Sequence, residues 1–401
     1  MSEPSVAEES QRPSAELTRL GLVAFSWFAA WGIGSVVISW IGTKQLHLSG
    51  RPFSWIQMSP QLPPLLLLLL GGAIADRVDP RRLLQSVHWA TIAPVAAFAA
   101  IVVASSATVP LLVGYGLCVG IGSAFASPPR DSLLSHVAGP NLMSAVTALT
   151  IAQFGGQALG SLGGGRAEAL GIPAMLGLQG LLLAGGALAA RGLPRVERSA
   201  APALPRAWLA GVASVVRTPA LRVPVGLVTA IGTFFMGPFF VAFPLIVRDV
   251  YQGGANELGW ILATFPLGTI LGSLAIRARG GIARKGRAML LAMTNGTLNL
   301  ALLSLGLPYW GFLLCALIWG TGGAVFINSS RTLVQETAPP EQRGRILAVY
   351  QLGFVGSAPL GMLLTGFLCE TFGPLGALRV CALGMALVIA SVATFSSARR
   401  L

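Results

Sequence analysis

Apolar blocks of about 20 residues alternate with short polar segments along nearly the whole chain. A helix rises ~1.5 Å per residue, so each block is long enough to cross the ~30 Å hydrocarbon core of a bilayer. Reading each block to its Gly, Pro or charged interruption predicts about twelve spans, over 20–42, 53–75, 83–105, 109–128, 142–165, 171–190, 222–247, 256–276, 288–306, 309–330, 345–367 and 374–396. The blocks do not alternate every second residue, which excludes a β-barrel. The longest polar connection, 191–221, carries Pro194, Pro202, Pro205 and a cluster of arginines. It divides the chain into a predicted N-terminal six-helix bundle (19–190) and a C-terminal one (222–396), with tails at 1–18 and 397–401. The expected fold class is an all-α polytopic membrane protein built from two pseudo-symmetric six-helix bundles.

Composition agrees with that pattern. Only 10% of the 401 residues are charged and 54% are hydrophobic, whereas soluble domains carry roughly 25% charged residues. All but five of the 27 basic residues (Lys44, Arg51, Arg166, Arg248 and Arg379 are the exceptions) fall in segments that the predicted spans place on the same side of the membrane as the N-terminus. Positive charge accumulates on the cytosolic face, so both termini are expected in the cytosol. The +13 net charge is thereby explained by topology rather than by nucleic acid. The polar start of the chain, with Glu3, Glu8, Glu9 and Glu16, lacks the basic and apolar regions of a signal peptide and is expected to be a disordered cytosolic tail. Cys118, Cys315, Cys369 and Cys381 lie inside apolar runs without metal-ligand or pairwise spacing, and no metal site is expected.

The halves are related by a shift of about 200 residues. Gly72-x-x-Ala75-x-Arg77 matches Gly272-x-x-Ala275-x-Arg277, Gly120-x-Gly122 matches Gly320-x-Gly322, and Ala138-x-Pro140 matches Ala338-x-Pro340. Glu168-Ala-Leu-Gly171 matches Glu370-Thr-Phe-Gly373 at a shift of 202. Matches in one order at nearly one offset indicate an internal repeat, and two repeats joined by a linker imply a path at their interface with alternating access.

Charges crowd into GGAIADRVDPRR (71–82), directly after six leucines. Asp79 can cap the next helix with Pro80 at its first position. Asp76 is harder to place, because a helix C-terminus disfavours an anion by roughly 0.3–1 kcal/mol. It calls for a cation such as Arg77, Arg130, Arg343 or Arg345, unless it is a solvated surface acid. Gly72, Asp76, Arg77, Arg81 and Arg82 resemble the loop 2–3 signature of the major facilitator superfamily, G-x-x-x-D-R-x-G-R-R, with Asp79 in place of a glycine and Pro80 as a second departure. The resemblance implies that Asp76 and Arg77 latch the two halves on the cytosolic side, with Asp131 a relay partner of Arg77. Span count, repeat, linker and termini extend the likeness over the chain. The stretches 125–149 and 327–351 resemble the subgroup of bacterial exporters that includes enterobactin and macrolide-efflux transporters. Gly156, Gly160, Gly163 and Gly164 resemble the glycine-rich fifth span of drug antiporters without its Gly-Pro pair; close helix packing explains these small residues equally well.

Polar and aromatic residues within apolar helices mark the candidate substrate cavity. Gln57/Gln61 and Gln153/Gln157 are same-face pairs four apart, as are Trp27/Trp31 and Phe235/Phe239, and Asn328 and Gln351 join them. Such a lining suits a bulky, largely apolar ligand with several hydrogen-bonding groups, although interhelical packing would use the same residues. None of the fourteen acids falls mid-membrane. If protons drive transport, the rim acids Asp131, Glu168 or Asp249 must carry them. The expectation is a monomeric, multi-pass secondary-active exporter of amphiphilic small molecules, drug-like compounds or a siderophore-type metabolite. It would use no cofactor beyond a proton gradient and perform no enzymatic step. An importer or facilitator of a small neutral solute, or a non-transporting sensor, is the alternative.

Overall fold

The computed structural model describes residues 15–67, 78–138, 142–196, 207–339 and 342–395, and among these the chain is helical with no strand. Helix α1 covers Ala15–Trp40 and ends in a π-helical turn, Ile41–Gln45. Helix α2 begins at Gly50–Met58, tightens through a 3₁₀ turn at Ser59–Gln61 and is described onward to 67. There follow α3 (Pro80–Ala104), α4 (Val109–Val137), α5 (Leu142–Gly164) and α6 (Ile172–Ala190). The connection contains a short helix, α7 (Ala207–Arg217). The second half consists of α8 (Pro219–Phe234, continued by a π turn at Pro238–Ala242 and by Phe243–Asp249), α9 (Ala255–Ala278), α10 (Lys285–Leu303) and α11 (Tyr309–Thr337). The final run, Arg343–Phe395, is broken at Gly373 (φ 70°, ψ 167°) into α12 (343–372) and α13 (374–395).

Described helix falls on each interval that the apolar pattern predicts. Among the described residues, eight helices are long and apolar enough to cross a membrane, counting Arg345–Thr394 as one. Proline opens α3, α4, α6 and α8 at the first or second position, where a missing N–H leaves no hydrogen bond unmade. Asp79 caps α3 as its sequence suggests, its carboxylate accepting the Arg81 N–H at 3.1 Å.

Two cores form. One gathers side chains of α1–α6 around Leu20, Ile33, Leu84, Leu112 and Leu176; the other gathers α8–α13 around Leu300, Phe243, Phe312, Cys381 and Met385. The internal repeat reappears as repeated packing. In the first half α1 crosses α5 where Gly160 lies against the Ala29 carbonyl; in the second, α8 crosses α12 where Gly361 lies against the Gly232 and Thr233 carbonyls. A Cβ at either glycine would overlap backbone, so the close crossing requires the missing side chain. The loops at 46–49, 105–108, 165–171, 250–254 and 304–308 gather at one end of the bundle, here the far end. The connection 191–218 marks the other, the linker end. Hydrogen bonds and ion pairs that join the halves among the described residues gather at the far end.

Candidate functional site

A cleft between the halves is the strongest candidate for a ligand site. Positions 31, 34, 35 and 38 form one face of α1, and 57, 60 and 61 one face of α2, by helical spacing. Trp31, Ser35, Ile38, Gln57, Gln61, Tyr115, Val119, Gln179, Phe240 and Met362 line it around ≈ 30 Å³ of free space, about the room of one water molecule, so a larger ligand needs the halves to move apart.

The polar groups are fixed by one another. Gln57 Nε2 donates to the Ser39 hydroxyl at 2.6 Å, and the Tyr115 hydroxyl donates to Gln179 Oε1 at 2.9 Å, all four residues buried. Gly34 makes room for the second pair: a Cβ there would stand 2.7 Å from the Tyr115 oxygen and 3.0 Å from Gln179 Nε2. A buried polar group without a partner costs about 1–3 kcal/mol, so these pairs hold their side chains in defined positions. Every polar side chain in the lining comes from the first half. The second half contributes Phe240 and Met362, and the Phe240 ring meets Trp31 edge-on at 5.7 Å between centroids. One wall thus offers hydroxyl and amide groups, and the facing wall offers an aromatic ring and a thioether.

Of the residues expected at the cavity, the structure brings Trp31, Gln57 and Gln61 into this cleft. Trp27 is buried inside the first half, its ring 5.0 Å from that of His88. Gln153 and Gln351 are half-buried and Gln157 buried, outside the cleft lining. Asn328 spends its amide on the Ala324 carbonyl of its own helix, at 2.8 Å. Phe235 and Phe239 differ from expectation: both sit in the second-half core, Phe235 5.2 Å from the Trp319 ring and Phe239 5.5 Å from Phe265. The two share a face, as their four-residue spacing predicts: the Phe239 N–H bonds the Phe235 carbonyl at 3.2 Å and both rings meet Trp319. That face turns into the core, and the next residue, Phe240, reaches the cleft. Tyr115, Gln179 and Ser35 escaped sequence reasoning, although Gln179 carries the same signal as Gln153, an amide within an apolar run.

At the linker end, Gly72, Asp76 and Arg77 lie outside the described residues, as does the side chain of Arg343. Arg81 is half-buried, Arg82 exposed and Arg345 half-buried. Arg130 is largely buried on α4; its Nε stands 3.5 Å from Asp131 Oδ1 and its guanidinium carbon 5.4 Å from the Phe28 ring centre. Among the glycines of α5, Gly156, Gly160 and Gly164 lie tightly against α1, while Gly163 makes only ordinary contact with Ile33, 3.9 Å from its hypothetical Cβ.

Comparisons with known proteins follow from this geometry. A family model described as transmembrane secretion effector matches residues 23–399. Over 369 residues the chain is 28% identical to the multidrug efflux pump Tap of Mycolicibacterium fortuitum, covering 85% of this chain and 86% of that one. It is 28% identical over 149 residues to the enterobactin exporter EntS of Shigella boydii serotype 18, covering 37% of this chain and 35% of that one. The solved nucleoside transporter NupG superposes with a TM-score of 0.74 at 15% identity, over 95% of this chain and 99% of that one, a likeness of fold alone.

Proposed function

Because this chain belongs to the transmembrane secretion effector family, within the major facilitator superfamily, we propose that it exports amphiphilic small molecules across a bacterial cytoplasmic membrane by alternating access. The observation that carries this reading is the divided chemistry of the cleft. Ser35, Gln57, Gln61, Tyr115 and Gln179 offer hydrogen bonds from one half, and Phe240 and Met362 offer an apolar surface from the other. A molecule with a polar edge and a bulky apolar body satisfies both walls at once, whereas a small polar solute would leave the second wall facing nothing. Full-length similarity to a multidrug efflux pump supports the same class of cargo and the outward direction.

The arginine-rich linker end faces the cytosol in this reading, with both termini inside, and the far end faces outward. Amphiphilic cargo enters from the linker side as the halves part there and widen the cleft between Trp31 and Phe240, and leaves when they part at the far end. The proton gradient is the proposed energy source; the chain acts as a monomer and needs no bound cofactor. Latching at the cytosolic side falls to Asp76 and Arg77, with Arg81, Arg82, Arg130, Asp131, Arg343 and Arg345 as the surrounding charges.

The test is counterflow and efflux in proteoliposomes with and without a pH gradient, using a panel of fluorescent amphiphiles. Gradient-dependent export of at least one amphiphile, weakened by Gln57→Leu, is the expected result. Equal flux with and without the gradient rejects proton coupling, and uptake without export rejects the direction.

A further inference from the structure

The far end is closed by two contacts that repeat one another. Glu168 stands on a short helix, Ala167–Leu170, just past α5. Its Oε2 accepts the backbone N–H of Ala255, the first residue of α9 in the other half, at 3.2 Å. Glu370 stands near the end of α12. Its Oε1 accepts the Ser49 hydroxyl at 2.6 Å and the Arg51 N–H at 3.1 Å, both at the start of α2 in the first half, and its Oε2 pairs with Arg51 Nε at 2.9 Å. Each acid is followed three residues later by a glycine in the left-handed region, Gly171 (φ 84°, ψ 151°) and Gly373 (φ 70°, ψ 167°). The Glu-x-x-Gly repeat of the sequence is therefore one turn built twice. Each half sends the acid after its fifth helix to the N-terminus of the other half's second helix.

We propose that Glu168 and Glu370 are the gating residues of the outer side: exchanged helix caps whose negative charge holds the far end shut. The proposal rests on the reading above only for which end faces outward. A carboxylate at a helix N-terminus is attracted by the first N–H groups and the helix dipole, and Glu370 adds a charge-assisted pair with Arg51. A glutamine keeps the shape and loses that attraction, so closure weakens when Gln replaces either acid. Both acids are reachable by water. Glu168 lines an open pocket at the far end with Gln45, Ser105 and Ser106, and the Glu370 side chain is a quarter exposed, at 26%.

Other charged groups crowd both caps. Near Glu370 are Arg51, and Arg248 with Asp249 on α8, where Arg248 also reaches the Leu48 carbonyl of the first half at 2.6 Å. Near Glu168 are Arg166, on its own turn, and Glu257, with Lys44 close to the latter. Glu257 provides a comparison, because among the described residues its carboxylate accepts hydrogen bonds from the Gly254 N–H at 2.7 Å and the Asn256 amide at 3.5 Å, both within its own half, with only the Lys44 charge near it from the other.

Double electron–electron resonance decides the matter. Spin labels at the exposed positions Ser106 and Leu305 measure the distance between halves at the far end, in full-length protein whose four native cysteines are replaced and whose transport is retained. Wild type at pH 7.5 should give mainly the short distance. The double variant Glu168→Gln/Glu370→Gln should show a long population, with the open-to-closed ratio raised about three- to tenfold. Glu257→Gln should match wild type. An unchanged distribution in the double variant, or an equal shift in Glu257→Gln, overturns the proposal. The measurement needs no substrate, so failure of the export assay leaves its result intact, and its own failure leaves export standing.

Discussion

Gln179→Leu should cost more than a surface change and less than a core cavity, and the Tyr115 hydroxyl is the reason. That hydroxyl donates to Gln179 Oε1 at 2.9 Å, with both residues buried and Gly34 closing the space beside them. Removing the amide strands the hydroxyl, for about 1–3 kcal/mol on the scale of soluble proteins. Within a bilayer, hydrogen bonds between helices measure about 0.6 kcal/mol on average and about 1.7 at most, because the unfolded helices also find partners. The expected loss is therefore about 1–2 kcal/mol for Gln179→Leu, and similar for Tyr115→Phe, which strands the amide. The double variant removes both ends together and should lose less than the sum of the two by about 1 kcal/mol. Thermal unfolding in one detergent, run on all four proteins, measures this coupling. Transport by the double variant, normalised to folded protein, should show a raised KM for a hydrogen-bonding amphiphile. Strictly additive stabilities would refute the claim that this pair fixes the polar wall, and an unchanged KM would remove it from the substrate site.

Three further predictions follow from particular contacts. Phe240→Ala should raise the KM for an amphiphile, whereas Phe239→Ala should destabilise the second half by about 3–5 kcal/mol with little change in KM for the folded fraction; the reverse pattern would refute this division of the two rings between cleft and core. Gly160→Val should separate α1 from α5 and sharply lower the yield of folded protein on size-exclusion chromatography, while Gly163→Val at its looser contact should be tolerated far better. Asp76→Asn should abolish transport with membrane abundance near normal on immunoblot, and full activity would return Asp76 to the status of a solvated acid.

The apolar blocks determine the helices, because a chain in hydrocarbon must satisfy every backbone hydrogen bond within its own segment. Length and hydropathy then carry most of the fold, and local chemistry carries some of its details. Asp79-Pro80 starts α3 as residue types alone require, and Gly156, Gly160 and Gly164 lie on one stripe wherever α5 is placed. Gln57, Gln61 and Trp31 were legible as site residues because a polar or aromatic side chain in an apolar run needs a partner or a purpose. Tertiary structure decided the rest. Spacing puts Phe235 and Phe239 on one face but does not say what that face meets, so only the folded chain turns it into the core and puts Phe240 at the cleft. Whether an amide serves a ligand or its neighbour depends on what the adjacent helix presents. Asn328 turns back on its own helix, whereas Gln179 meets Tyr115, 64 residues away. The repeat exposed Glu168 and Glu370 as equivalent positions, yet their partners lie 87 and 319 residues distant in the opposite half. Hydropathy and spacing act within a helix, while a contact across the interface exists only once two bundles have packed, and that packing turned two matching acids into a pair of exchanged caps.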